Sequence, residues 1–243
     1  MPEGPSIVIL KEAVAAFKGK KIIEVSGNTS VDKERLLNKT VIDFKSWGKH
    51  FLICFKEFTV RIHFLLFGSY LVNETKDRPI RLGLVFSKGS INFYACSIKF
   101  IEGDLNEVYD FTADVMNDSW NPKNAAAKLN QDKNALVCDA LLEQDIFSGV
   151  GNIIKNEVLY RICVHPLSNV GKLPTAKINQ LIKEAREYSF EFLAWKKQGV
   201  LKKNWLAHRK KICQRCDLPL TSEHTGTKKR RSYFCINCQK LYK

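Results

Sequence analysis

The sequence predicts an α+β protein of several domains. An N-terminal antiparallel β-sandwich with flanking helices is followed by a helical domain and a small four-cysteine unit. Three observations predict this. Between residues 20 and 112, short β-branched or aromatic runs follow one another with turn residues between them and no helix in between, which implies antiparallel pairing rather than βαβ units. From residue 123 onward, apolar residues recur at helical spacing. Near the end, two Cys-x-x-Cys pairs stand 18 residues apart. The expected boundaries are 1–112 for the sandwich, 113–123 for a polar linker, 124–208 for the helical domain and 209–243 for the cysteine unit.

The first element is a helix. Pro5 opens the apolar run Ile7-Val8-Ile9-Leu10 and Gly19 follows its end, the usual asymmetry of Pro at the start and Gly past the stop. Ahead of it stands Met1-Pro2-Glu3-Gly4. With Met1 removed, Pro2 would carry a free secondary amine titrating near ~7.7–8.0. Such an amine can attack an electrophilic carbon and form an iminium that is charged without a proton. Glu3 stands next to it to move protons, and the positive end of the helix dipole favours the neutral amine. Taken alone, these residues read as an ordinary chain start; the rest of the chain reverses that reading.

Strands are expected at Ile22–Ser26, Val41–Lys45, Phe51–Phe55, Thr59–Phe64, Arg81–Phe86 and Ile91–Tyr94, with Lys56-Glu57 turning a hairpin. In Trp47-Gly48-Lys49-His50, Lys49 is either a solvated strand-end lysine or an amine available to chemistry or a phosphate. Leu65-Leu66-Phe67, placed at a loop before Gly68, is either core or an apolar wedge of the kind that fills the space left when a base leaves a duplex stack. Cys54 and Cys96 read as small core residues.

Helices are expected at 123–131, 135–145, 152–162 and 175–198. The last carries Ile178, Leu181, Ile182, Ala185 and Phe192 on one face, Thr175 as N-cap and Gly199 as stop. Gly149-Val150-Gly151-Asn152 leads into the third helix. It is either a phosphate seat at a helix N-terminus or a tight turn that needs glycine for geometry alone.

Cys213, Cys216, Cys235 and Cys238 have the spacing of a four-thiolate site for one structural Zn²⁺. The loop between the pairs carries Lys228-Lys229-Arg230-Arg231, and residues 202–243 hold twelve Lys/Arg against Asp217 and Glu223, a balance of +10 within a formal total of +14. That charge selects an anionic partner, nucleic acid first. No apolar run is long enough for a membrane span. Neither a leader before Pro2 nor disulfides are expected.

Taken together and in this order, Pro2-Glu3-Gly4-Pro5, Trp47-Gly48-Lys49, Gly149-Val150-Gly151-Asn152 and the terminal cysteines resemble the formamidopyrimidine-DNA glycosylase / endonuclease VIII family. The resemblance runs over essentially the whole chain. It implies a helix–two-turn–helix in the helical domain, DNA in a cleft between the two halves, and excision of oxidised bases followed by strand cleavage by β,δ-elimination. Pro2 would be the nucleophile at C1′, Glu3 the proton shuttle and Lys49 a second catalytic group. Asn152 and Arg230 would bind backbone phosphates, with Arg231 one position from the expected slot, and Leu65, Leu66 and Phe67 would be the wedge. The implied partner is double-stranded DNA containing an oxidised base or abasic site, handled by a monomer in the cytoplasm, at a bacterial nucleoid or in a nucleus.

The opening, the wedge, Ser97-Ile98-Lys99-Phe100 read as a strand-end loop without the Arg of the purine-specific branch, and the short stretch Leu201–Ile212 all resemble the endonuclease VIII branch and imply oxidised pyrimidines. Ser6, where a second Glu is common, and Leu65, where a polar residue is typical, depart from the pattern. The alternatives are an 8-oxoguanine-specific enzyme of the same family and a protein that binds damaged DNA without cutting it.

Overall fold

The computed structural model describes residues 2–243. The chain divides into two compact units, Met1–Tyr109 and Asp110–Lys243.

The first unit begins with helix α1 (Gly4–Ala13), followed by a 3-10 turn at Ala15–Phe17 and by Gly19 at φ 75. Six strands follow: β1 (Ile22–Ser26), β2 (Asp43–Trp47), β3 (His50–Cys54), β4 (Phe58–Val72), β5 (Leu82–Phe86) and β6 (Gly89–Glu102). All pair antiparallel in one hydrogen-bonded sheet of order β1-β5-β6-β4-β3-β2. The two layers expected as a sandwich are therefore the two halves of one ladder, joined through β4 and β6. The β4–β6 pairing breaks between Phe64↔Cys96 and Ser69↔Tyr94, where residues 65–68 face Ala95 alone. Extra residues on one strand bend the sheet, and Ala95 answers with φ 46. Ile7 and Leu10 of α1 and Val14 just after it bury in one core with Phe51, Ile53 and Phe93, each worth roughly 1.5–3 kcal/mol of transfer energy. Lys56-Glu57 does turn the β3–β4 hairpin, closed by Phe55 N–H to Phe58 O at 2.9 Å.

Two expectations fail here. β4 and β6 run well past Phe64 and Tyr94, because pairing resumes beyond the break. Ser97–Phe100 lies inside β6, paired with Val60–His63, and is not a strand-end loop. Helix α2 (Leu105–Val108), capped by the Asp104 side chain, closes the unit.

The second unit contains α3 (Pro122–Gln131), α4 (Val137–Ala140), α5 (Asn152–Arg161) and α6 (Thr175–Lys197), then the hairpin β7 (Thr221–Thr225) and β8 (Arg230–Phe234). α6 starts at Thr175 behind Pro174 and ends before Gly199 at φ 74. Its face Leu181, Ile182, Ala185, Tyr188 and Phe192 packs with Ile154 and Val158 of α5 and Ala125 and Leu129 of α3. The helix expected over 135–145 is only α4. Beyond it the Gln144 amide donates to Leu142 O and Val150 O, at 3.0 and 3.2 Å, and closes a turn where helical amides would otherwise continue. Residues 113–123 pack into this unit, with Ala113, Asp114 and Val115 buried. No helix among the described residues is long and apolar enough to cross a membrane.

Candidate active site and nucleic-acid interface

In the first unit, the start of α1 sets Pro2 and Glu3. Glu3 is the N-cap residue, in extended conformation, and its carbonyl accepts the Ser6 N–H at 2.8 Å. Its side chain is buried at 3% exposure, beside a half-buried Pro2. A carboxylate there lies at the positive end of the helix, where a negative charge is favoured. Met1, whose removal would free the Pro2 amine, lies outside the described residues.

Lys49 occupies the two-residue turn between β2 and β3, the strands on which α1 packs. Gly48 before it holds φ 51, a conformation glycine takes at no steric cost. Aromatic and imidazole rings surround this turn. Trp47 lies 4.9 Å from Tyr109 and 5.6 Å from His50, and His50 meets His63 edge-on at 5.1 Å. His50 Nδ1 and the Tyr109 hydroxyl are 3.1 Å apart. Burial, and then the charge of Arg61, pull His50 down to about 3. Burial also lowers His63, against a hydrogen bond to the Lys49 backbone. Both rings are therefore neutral at pH 7 and add no second positive charge beside Lys49. The sequence reads His63 as a structural histidine and His50 only as the end of the Trp47-Gly48-Lys49-His50 motif; it gives no sign of Tyr109 or of the pairing of the two histidines, which the register of β3 and β4 brings about.

Leu65, Leu66 and Phe67 stand in the β4 break, not in a separate loop, at 52, 62 and 74% exposure. Three adjacent large apolar side chains in water are unfavourable unless something covers them. Gly68 permits the geometry, because a Cβ there would lie 2.7 Å from Ala95 O and from Phe64 Cβ.

In the second unit, Gly149 at φ 97 and Gly151 as N-cap deliver Asn152 as the first residue of α5. The Asn152 amide donates to Arg231 O at 2.9 Å, while its Oδ1 is buried without a partner. Lys155, fully buried, donates to Ser232 Oγ at 2.8 Å and Arg231 O at 3.3 Å, and Asn156 Oδ1 accepts the Tyr233 N–H at 3.1 Å. One face of α5 thus clamps β8. The turn of the hairpin is held by Asp139 of α4, which accepts the Thr227 and Lys228 N–H groups at 2.8 and 3.2 Å.

These contacts discriminate between the two arginines. Arg231 reaches Ser222 Oγ at 3.3 Å and His224 Nε2 at 3.1 Å. Arg230 is exposed, and among the described residues its guanidinium has no hydrogen-bond or ion-pair partner. Lys155, Asn156 and Asp139 also escaped the sequence reading, since each looks like a solvated polar residue on a short helix.

The sulfur atoms of Cys213, Cys216, Cys235 and Cys238 lie within 4.8 Å of one another. A tetrahedral metal with ~2.3 Å metal–sulfur bonds places its sulfurs about 3.8 Å apart, and Cys213 and Cys238 stand 3.7 Å apart. The Asn237 amide donates to Cys216 Sγ at 3.3 Å, and Tyr160 Oη lies 3.3 Å from Cys213 Sγ, hydrogen bonds of the kind that support metal thiolates. The four cysteines fit a metal ion.

Residues 1–100 match the family model described as the formamidopyrimidine-DNA glycosylase N-terminal domain, and residues 111–202 match that of the formamidopyrimidine-DNA glycosylase H2TH domain. Endonuclease 8-like 3 of Xenopus laevis is 28% identical over 232 residues, which cover 90% of this chain and 38% of that protein. The chain thus spans well under half of that relative's length. The DNA-(apurinic or apyrimidinic site) lyase Nei2 of Mycolicibacterium smegmatis is 25% identical over 267 residues, 98% of this chain and 99% of its own. The crystal structure of Lactococcus lactis formamidopyrimidine-DNA glycosylase, bound to DNA containing an AP site, superposes with a TM-score of 0.86 at 20% identity, covering 98% of this chain and 99% of that one. The last likeness is one of fold.

Proposed function

This chain belongs to the formamidopyrimidine-DNA glycosylase and endonuclease VIII family, and from that premise we propose that it is a bifunctional DNA glycosylase and AP lyase of base-excision repair, acting on oxidised bases and on pyrimidines first. The observation that carries the reading is the pairing of a half-buried Pro2 with a buried Glu3 at the positive end of α1. A nucleophilic amine and a carboxylate one residue apart are what imine chemistry on a sugar needs.

The damaged nucleotide leaves the stack, which is easiest for a poorly stacked base, and Leu65, Leu66 and Phe67 fill the space. The Pro2 nitrogen lone pair forms a bond to C1′, and the base leaves with the glycosidic electron pair and a proton. Glu3 takes the proton from the substituted Pro2 nitrogen and delivers it to the sugar ring oxygen as the ring opens, giving an iminium. Loss of the C2′ proton then forms a C2′=C3′ double bond and expels the 3′ phosphate. A second elimination expels the 5′ phosphate, and water releases Pro2 from the sugar remnant. Lys49 supports the charge that develops on the sugar and phosphate. Asn152 and Arg230 hold backbone phosphates, and one structural Zn²⁺ on the four cysteines keeps the hairpin in shape. A closed four-thiolate site leaves no position open for substrate. The protein works as a monomer on duplex DNA.

Borohydride trapping on a duplex with an abasic site tests the chemistry. The expected result is a covalent adduct that disappears when an extra residue precedes Pro2. Tight binding with no adduct would replace the enzyme by a damage-binding protein. The lesion preference is tested by cleavage of duplexes carrying thymine glycol or 8-oxoguanine; faster cleavage of the guanine lesion opposite cytosine would reverse it.

A further inference from the structure

Between Glu191 and Asp217 the chain has no carboxylate and eight Lys or Arg. Lys202, Lys203, Arg209 and Lys211 are exposed and Lys210 is half-exposed. Among the described residues, none of these five has an ion-pair partner. A run of like charges repels itself and tends to be disordered, yet this one is fixed at its centre. Glu157 of α5, fully buried, accepts the backbone N–H groups of Leu206, Ala207 and His208 at 2.8, 3.0 and 2.7 Å. Asn156 Nδ2 lies 3.2 Å from His208 Nδ1. The His208 ring packs edge-on against Trp205 at 4.8 Å and Tyr233 at 5.2 Å. Arg209 follows at once with φ 59. Two lysines thus precede a buried bolt and three cations follow it.

Stability alone does not call for five unpaired cations around such a bolt, because their mutual repulsion opposes folding. A line of anions would relieve it. The bolt also has a defined place relative to the phosphate seat. Asn156 and Glu157 lie four and five residues beyond Asn152 on one helix, about 6–7.5 Å along its axis. If α5 runs along the duplex, that separation spans about two nucleotides at about 3.4 Å each.

We infer that residues 202–211 form a second nucleic-acid contact surface, which grips phosphates of the duplex flanking the lesion, outside the contacts of Asn152 and Arg230. The inference rests on the reading of the chain as a DNA-binding repair protein, but it requires no excision.

The test compares the full-length chain with the variant Lys202→Gln/Lys203→Gln/Lys210→Gln/Lys211→Gln. Binding to abasic-site duplexes is measured across a salt series, on a short duplex that covers only the lesion and its nearest neighbours and on one extended by about ten base pairs on each side. Each phosphate contact contributes about 0.9 to the slope of log affinity against log salt. On the long duplex the variant's slope is expected to fall by about 2–4; on the short duplex the two proteins should agree. The corresponding Lys→Arg variant keeps the charge and should keep the slope. Equal slopes on the long duplex would overturn the inference. So would an equal fall on both lengths, which would move the lysines to the lesion, or a fall in the arginine variant, which would make the effect one of folding. A slope that falls as expected in a protein that excises no lesion would sink the enzymatic reading and leave this surface standing.

Discussion

In the first unit the candidate residues ride on backbone features; in the second they are held by buried side chains. Pro2 and Glu3 are set by the opening turn of α1, Lys49 by a two-residue hairpin, and the wedge by a four-against-one break in the sheet. The sheet below them is apolar, and its register alone decides where they stand. The cysteine hairpin has little core of its own. Lys155, Asn156 and Asp139 position it instead, and Glu157 holds the segment that leads into it. A polar network of this kind specifies one arrangement when every member is satisfied and fails sharply when one is removed. The comparison teaches that the chemical pole should tolerate loss of the binding pole's fold, and that damage to the two should be separable.

The largest expected effect breaks the comparison at the chemical pole. Glu3→Gln should lower single-turnover excision of a thymine glycol base by roughly 10²–10⁴-fold, while borohydride trapping on a ready-made abasic site persists, since the imine can form without that proton. Loss of both activities together would mean that Glu3 holds the fold of α1 instead.

Metal removal should break the other pole. Treatment with a strong chelator is expected to abolish salt-sensitive DNA binding and to increase amide exchange across Cys213–Lys243, because a small four-thiolate unit draws its folding energy from the metal. Exchange in β3 and β4 should not change. Faster exchange in both units would show that they unfold together.

A smaller effect comes from the bolt. Glu157→Ala leaves three backbone N–H groups without their acceptor, and each buried orphan costs ~1–3 kcal/mol. Chemical denaturation should show the second unit destabilised by at least about 3 kcal/mol, with the first unit's transition unmoved.

Acid sensitivity should be the mildest, and it touches both units. Burial holds His50 at about 3 and His208 at about 4, against an ordinary 6.5. Below pH 6.5 the unfolded chain gains protons on these rings that the folded chain refuses, so stability is full above 6.5 and declines as pH falls toward 4. Urea midpoints at pH 7, 5.5 and 4.5 should fall in that order, and His50→Phe should flatten the first unit's share. Midpoints that do not move over this range would mean that the rings reach water.

Much of the candidate site was legible because local chemistry announced it. Proline and glutamate ahead of an apolar helix, a Gly-Lys turn between strands, a Gly-rich turn into a helix and two paired cysteines each carry their meaning over a few residues. What escaped has meaning only across the fold. His50 and His63 are neighbours because β3 and β4 pair in one register. Lys155, Asn156 and Glu157 read as a polar stretch of helix but are buried, since the hairpin covers Lys155 and Asn156 and the segment before it covers Glu157. Leu65–Phe67 interrupts the alternation of a strand and so reads as a loop, although the ladder closes again beyond it.

The sequence by itself determined the kinds of element, four cysteines spaced for a metal ion, the basic charge and the proline–glutamate pair ahead of α1, because each depends on residue type and short spacing. Tertiary structure alone decided which arginine stands unpaired, which polar residues are buried, and that two apparent sheets are one. Those outcomes depend on which distant groups meet, and a hydrogen bond or a buried charge takes its energy from the partner that folding brings to it.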